Sequence, residues 1–133
     1  MMAAAAIGVA IGIVFLIVYC RFGAATLALN GFLALAIMLA VYVGARLVSG
    51  APQDILIETL LASVWLGLGQ LAIYRWRPGI GLLVLAHGGY DFLFGEASGV
   101  ADWYPPLCVG FDIIVGIGLF VLLSRKAVQE SAQ

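Results

Sequence analysis

Five long apolar segments, separated by short stretches that contain proline, glycine or charged residues, make up most of the chain. A helix needs about 20 mostly apolar residues, with a range of about 17–25, to cross the hydrocarbon core of a bilayer. The segments that meet this requirement are residues 3–20, 24–48, 54–74, 79–98 and 107–124. The pattern therefore predicts an all-α integral membrane bundle of about five transmembrane helices, forming a single domain over residues 1–133.

The composition supports the bilayer as the surrounding solvent. Of the 133 residues, 65% are hydrophobic and only 10% are charged, and the mean hydropathy is +1.17. A soluble domain is usually about 45–50% apolar and about 25% charged, and a small domain cannot bury so much apolar surface. Because the net charge is −1 and no run of Lys or Arg is present, we expect no nucleic-acid partner.

The distribution of positive charge predicts an orientation in the membrane. Five spans put the turns at 21–23 and 75–78 and the C-terminus on one side. The basic residues of that side are Arg21, Arg75, Arg77, Arg125 and Lys126. The other side has only Arg46. Since Lys and Arg accumulate in cytoplasmic loops, we expect the N-terminus outside the cell and the C-terminus in the cytoplasm, with the protein in the cell membrane.

The two cysteines are predicted not to form a disulfide. Cys20 and Cys108 fall at opposite ends of the predicted spans, roughly 30 Å apart. A disulfide requires Cα atoms within about 7 Å of each other. Both residues are therefore expected to be small apolar side chains in helices.

Ionisable residues occur inside the last three predicted spans, where they are costly. They are Asp54, Glu58, His87, Asp91 and Asp112. A charged residue at the centre of a bilayer costs about 2.5–3.5 kcal/mol on the insertion scale, and such residues usually face the bundle interior and often mark a functional site. Asp54 and Glu58 are four residues apart, as are His87 and Asp91, so each pair shares one helix face.

Depth along each predicted helix brings three of these acids to nearly one level. With a rise of about 1.5 Å per residue, Glu58 lies about 6 Å below the outer interface, Asp112 about 9 Å and Asp91 about 10 Å. His87 lies about 16 Å deep, and Asp54 lies at the interface itself. We therefore expect Glu58, Asp91 and Asp112 to converge from three consecutive helices towards the extracytoplasmic face.

Two short patterns coincide with these residues. They are His-x-x-Tyr-Asp at 87–91 and Trp-Tyr-Pro-Pro at 103–106, the latter followed by Gly-Phe-Asp at 110–112. In these patterns the chain resembles a group of small bacterial multipass membrane proteins of unknown function. The resemblance covers about the last third of the chain and implies a membrane fold but no particular activity.

Acid–base catalysis is the first of three interpretations of the cluster. In it, Asp91 or Asp112 is the acid, Glu58 is the base and His87 tunes Asp91. The substrate would be a small lipid-soluble ligand. The sequence does not decide whether the protein is an enzyme.

Binding or transport of a metal ion or of protons is the second interpretation. Three carboxylates at close range cannot all stay ionised in a low dielectric unless a cation lies among them. The ligands of a divalent ion would be Glu58, Asp91 and Asp112, with His87 as a fourth only if the span boundaries shift.

A structural or accessory role is the third interpretation, in which hydrogen bonds between the acids only fix the register of the bundle. Small residues also recur at helical spacing, for example Ala4, Gly8 and Gly12. Such spacing allows helices to approach closely, either within one bundle or between copies of the chain in a homo-oligomer.

Overall fold

The structure is a computed structural model, which describes residues 1–131 except for the side chains of Glu96 and Ser131. It contains five α-helices and one short 3-10 turn. The helices are α1 (Met2–Tyr19), α2 (Ala24–Ser49), α3 (Pro52–Arg75), α4 (Gly79–Phe94) and α5 (Tyr104–Ser131), and the 3-10 turn is Gly95–Ala97. The predicted all-α class is therefore confirmed, with one helix for each apolar segment.

Four of the helices are long and apolar enough to cross a membrane. They are α1, α2, α3 and the Tyr104–Glu130 part of α5. The remaining helix, α4, has 16 residues and rises about 24 Å, less than the hydrocarbon thickness of about 30 Å. Large apolar side chains also cover the outer surface, for example Ile17, Ile37 and Leu60. These features indicate a membrane protein.

Proline sets the start of two helices, and both begin earlier than the sequence predicts. Pro52 is the first residue of α3, and Pro105 and Pro106 lie in the first turn of α5. The missing N–H of proline costs nothing in the first turn, where backbone N–H groups have no partner within the helix. Asp54 follows in the first turn of α3, and its Oδ2 accepts the Ala51 N–H at 3.4 Å. This is a favourable place for an acid.

Helix α5 is central to the bundle and contacts α1, α2 and α4, while α3 packs mainly against α2. Glycines let the α1 and α5 backbones meet. A Cβ on Gly8 would collide with the carbonyl oxygen of Leu107, and one on Gly110 would collide with that of Ala5. These small residues therefore serve close packing within one bundle, which was one of the two roles considered for them.

The apolar core lies between α2, α4 and α5. Its fully buried members include Leu27, Leu35, Ile80, Val115 and Leu119. This core holds together the three helices that carry most of the buried polar side chains, and it fixes where those side chains meet.

Candidate functional site

His87, Asp91 and Asp112 meet in the interior of the bundle and form what we call the inner cluster. His87 Nδ1 lies 2.9 Å from Asp112 Oδ2 and 3.4 Å from Asp91 Oδ2. His87 and Asp112 are 0% exposed and Asp91 is 3% exposed. The same imidazole nitrogen therefore makes a hydrogen-bond contact with Asp112 and lies within ion-pair distance of Asp91, without a hydrogen bond to it.

The close approach of α4 and α5 brings the inner cluster together. His87 and Asp91 are one turn apart on α4, so their side chains share a face. Asp112 reaches them from α5 beside Gly88, where an added Cβ would lie only 2.9 Å from the Asp112 Cβ. A side chain at position 88 would therefore push Asp112 away from the imidazole.

Tyr42 on α2 is a further member of the site that sequence analysis did not select. It is fully buried, and its hydroxyl donates to Asp91 Oδ1 at 2.6 Å. This bond holds one carboxylate oxygen and leaves the other, Oδ2, on the side of His87. A tyrosine within an apolar span is a weak signal in sequence. The usable clue is the Tyr42–Arg46 spacing, which puts both polar ends on one face of α2.

Three polar atoms of the inner cluster have no hydrogen-bond partner among the described residues. They are His87 Nε2, Asp91 Oδ2 and Asp112 Oδ1. A buried polar atom left unpaired costs about 1–3 kcal/mol, and such atoms are rare in native structures. The cluster thus offers more donor and acceptor capacity than the surrounding protein uses.

The depth of Glu58 along α3 predicted that it would join Asp91 and Asp112. It lies instead in a second group of side chains nearer the surface. We call Arg46, Glu58 and Tyr90 the outer group. Arg46 Nε lies 3.9 Å from Glu58 Oε2, and the Tyr90 hydroxyl donates to the two Glu58 oxygens at 3.2 and 3.3 Å. Arg46 also donates to the Ala97 carbonyl at 2.5 Å.

The difference between the predicted and observed groupings has a geometric cause. A depth calculation gives the height of a residue along its helix but not the direction of its side chain around the helix axis. Asp91 and Asp112 point towards each other between α4 and α5, and His87, placed a turn deeper, bridges them. Asp54 remains at the start of α3, outside both groups.

The two groups differ in how their negative charge is balanced. Glu58 is paired with Arg46. Within residues 1–131 neither Asp91 nor Asp112 forms an ion pair with Lys or Arg, and their partner is His87. Buried charges require a counter-charge and hydrogen bonds to offset desolvation. Because two carboxylates face one imidazole, the negative charge of the inner cluster exceeds the positive charge that His87 can supply.

The atoms of the inner cluster lie close enough together to hold a metal ion. His87, Asp91 and Asp112 each offer a ligand atom, and these atoms lie within 4.8 Å of one another. Tetrahedral bonds of about 2.0–2.1 Å would put ligand atoms about 3.3–3.4 Å apart. The Asp91 oxygen lies at that distance from Nδ1, 3.4 Å, whereas the Asp112 oxygen lies at the hydrogen-bond distance of 2.9 Å. The sequence-based ligand set named Glu58 instead of His87 as a principal ligand, whereas the structure groups His87 with the two aspartates.

Three aromatic rings pack around the imidazole of His87. Tyr42 and Trp65 pack edge-on to it at centroid distances of 5.8 and 6.1 Å, and Tyr90 lies at 6.2 Å. Trp65 and Tyr90 are both partly exposed. Of the three rings, those of Trp65 on α3 and Tyr90 on α4 therefore also reach the surface of the bundle.

No protein-family model, curated protein or solved structure gives a match to this chain. The chain is an apolar helical bundle, compatible with a membrane protein, that contains a buried cluster of one histidine and two aspartates.

Proposed function

We propose that this protein is a multipass protein of the cell membrane that binds a divalent metal ion at His87, Asp91 and Asp112. The proposal rests on three buried residues, one histidine and two aspartates, whose possible ligand atoms lie close together. Among the described residues, neither aspartate forms an ion pair with Lys or Arg. A divalent cation balances two carboxylates and a neutral imidazole to zero net charge. Such neutrality is what a buried site in an apolar bundle requires.

The proposed topology has five spans, with the N-terminus outside and the inner cluster nearer the extracytoplasmic face. The basic residues at one end of the bundle support the C-terminus as cytoplasmic. They are Arg21, Arg75, Arg77, Arg125 and Lys126. For the short helix, the 16 residues of α4 and the 3 of the following 3-10 turn together rise about 30 Å, enough to cross the hydrocarbon core.

The ligand atoms restrict the kind of metal. One imidazole nitrogen and two carboxylate oxygens suit zinc, manganese or ferrous iron, whereas the softer cuprous ion prefers sulfur. Three protein ligands leave at least one coordination position open, which is typical of catalytic rather than purely structural zinc sites. Tyr42 would act from outside the ligand set by holding Asp91 in place.

The only histidine of the chain gives a direct test of metal binding. Because the sequence contains a single histidine, labelling with ¹⁵N-histidine gives ring signals from His87 alone. In nanodiscs, added zinc or cadmium should shift the Nδ1 resonance of the wild type and leave that of Asp112→Asn unchanged. Unchanged ring signals in a folded wild-type protein at saturating metal would overturn the proposal.

Acid–base chemistry on a small lipid-soluble ligand is a second candidate, favoured by the unpartnered Nε2 of His87. A carboxylate that holds one imidazole nitrogen leaves the other free to take up or release a proton. Asp112 would then orient the ring, and the ligand would approach between α3 and α4. In this case the ¹⁵N spectrum would show an Nδ1–H tautomer that does not respond to metal.

A further inference from the structure

A second candidate site lies at the opposite end of the bundle from the inner cluster. It is a pocket of about 220 Å³ between the first turn of α2, the turn that joins α3 to α4, and the last turns of α5. Its polar and aromatic lining consists of Tyr74, Arg75, Trp76, Arg77 and Glu130. None of these residues takes part in the proposed metal site.

The balance of charge in this pocket favours an anion. Two arginines face one glutamate, and Arg77 Nη1 lies 3.1 Å from Glu130 Oε2. Both side chains of that pair are exposed, so the pair itself is weak. A guanidinium has five N–H donors, and Glu130 accepts a hydrogen bond from one Arg77 nitrogen. Donors therefore remain for a second anionic group.

The aromatic residues suggest the depth at which the pocket lies. Tyr74 is 80% exposed and Trp76 is 52% exposed, and such amphipathic rings prefer the headgroup level of a bilayer. Ile73 and Leu123 add apolar walls on the bundle side. The pocket thus combines donors for a phosphate with apolar surface for the first part of an acyl chain.

We propose that this pocket binds the phosphate headgroup of an anionic phospholipid. Basic pockets between membrane helices on the cytoplasmic side bind such headgroups, and arginine matches phosphate through paired hydrogen bonds. The proposal rests on the part of the proposed function that puts the helices in a bilayer. It does not depend on metal at the inner cluster.

Fluorescence quenching at Trp76 tests this proposal in the full chain. Phe replaces Trp65 and Trp103, so that Trp76 is the only tryptophan. The protein is placed in phosphatidylcholine nanodiscs that contain a minor share of brominated phosphatidylglycerol or, separately, of brominated phosphatidylcholine. Brominated phosphatidylglycerol should quench Trp76 more strongly. Arg75→Gln or Arg77→Gln should each reduce that preference about fivefold.

Arg125→Gln is the matched control, because it removes one positive charge from the same end of the bundle at an exposed position outside the pocket. It should retain the preference. Equal quenching by the two lipids, or an equal loss in Arg125→Gln and Arg77→Gln, would overturn the pocket as a specific site. Equal quenching by the two lipids, together with binding of inorganic phosphate that Arg77→Gln abolishes, would identify soluble phosphate instead and overturn the lipid. Failure to insert into nanodiscs would contradict the membrane topology itself.

Discussion

The carboxylate of Asp91 on α4 is oriented by a side chain of another helix, Tyr42 on α2. Its Oδ1 accepts the Tyr42 hydroxyl at 2.6 Å, and its Oδ2 lies 3.4 Å from His87 Nδ1. Because Tyr42 on α2 holds one Asp91 oxygen, the other oxygen has a defined direction towards the remaining atoms of the proposed metal site. Partners of this kind orient metal ligands and raise the affinity of the site for its metal.

Tyr42→Phe should therefore weaken metal binding without removing any ligand. We expect a loss of about 10- to 100-fold in affinity, measured by calorimetric titration with zinc in detergent. Tyr90→Phe is the matched control, since its hydroxyl bonds to Glu58 and not to the inner cluster, and it should bind zinc as the wild type does. Equal zinc affinities in Tyr42→Phe and the wild type would show that the Tyr42 hydroxyl has no part in metal binding.

Glu58→Gln tests whether the two groups of charges are separate. This change weakens the contact with Arg46, which is 19% exposed and keeps its bond to the Ala97 carbonyl. We expect a loss of no more than about 1–2 kcal/mol in stability and full retention of metal. Asp112→Asn should instead lose the metal. A Glu58→Gln protein that folds but no longer binds metal would restore the ligand set first expected from the sequence.

At the scale of helices, the site depends on how closely α4 and α5 approach. Gly88 meets the Asp112 Cβ, and Gly81 and Gly116 each face the backbone of the other helix. Membrane helices gain stability from such close packing because lipid supplies no hydrophobic driving force between them. The same contacts put Asp112 within 2.9 Å of His87.

Gly88→Ala should consequently disturb both stability and metal binding. The new Cβ would lie 2.9 Å from the Asp112 Cβ, and overpacking of this kind costs about 1–3 kcal/mol. Gly89→Ala is a close control, because an added Cβ there meets nothing within 4 Å. Melting temperatures and zinc affinities of the two variants in the same detergent provide the comparison, and equal values would show that the approach at Gly88 does not position Asp112.

The helices were predictable from sequence to a greater extent than the site. Each apolar segment became a helix, because the number of apolar residues largely decides this in a membrane protein. Helices α3 and α5 begin earlier than predicted, because Pro52 and Pro105 fit the first turn of a helix. The pairing of His87 with Asp112 depends on the rotation of α4 against α5, and the Tyr42–Asp91 bond depends on α2 packing beside both. Neither rotation nor packing partner can be read from residue spacing along one helix.

At the scale of the whole molecule, the proposed topology separates two functions. The inner cluster lies towards one end and the basic pocket towards the other, which is also where most Lys and Arg residues occur. The native thiols cannot report both sides of this arrangement, because Cys108 is only 1% exposed and Cys20, which is partly exposed, lies on one side only. Cysteines introduced at exposed positions are needed instead.

Single cysteines at Asp102 and at Gln129 should report opposite sides of the membrane. Both positions are exposed, and both variants would be made with Cys20 replaced by Ser and Cys108 by Ala. A membrane-impermeant maleimide added to intact cells should label Asp102→Cys and not Gln129→Cys. Permeabilised cells, in which both should react, provide the control. The opposite pattern in intact cells would reverse the orientation and turn the inner cluster towards the cytoplasm.

The metal content of the purified protein is the most direct test of whether His87, Asp91 and Asp112 hold a divalent metal. The wild type and Asp91→Asn would be purified in mild detergent, without chelators, from cells supplied with zinc, manganese and iron. The proposed site predicts close to one ion per chain in the wild type and a clear loss in the variant. A folded wild type with no more metal than Asp91→Asn would contradict the metal site.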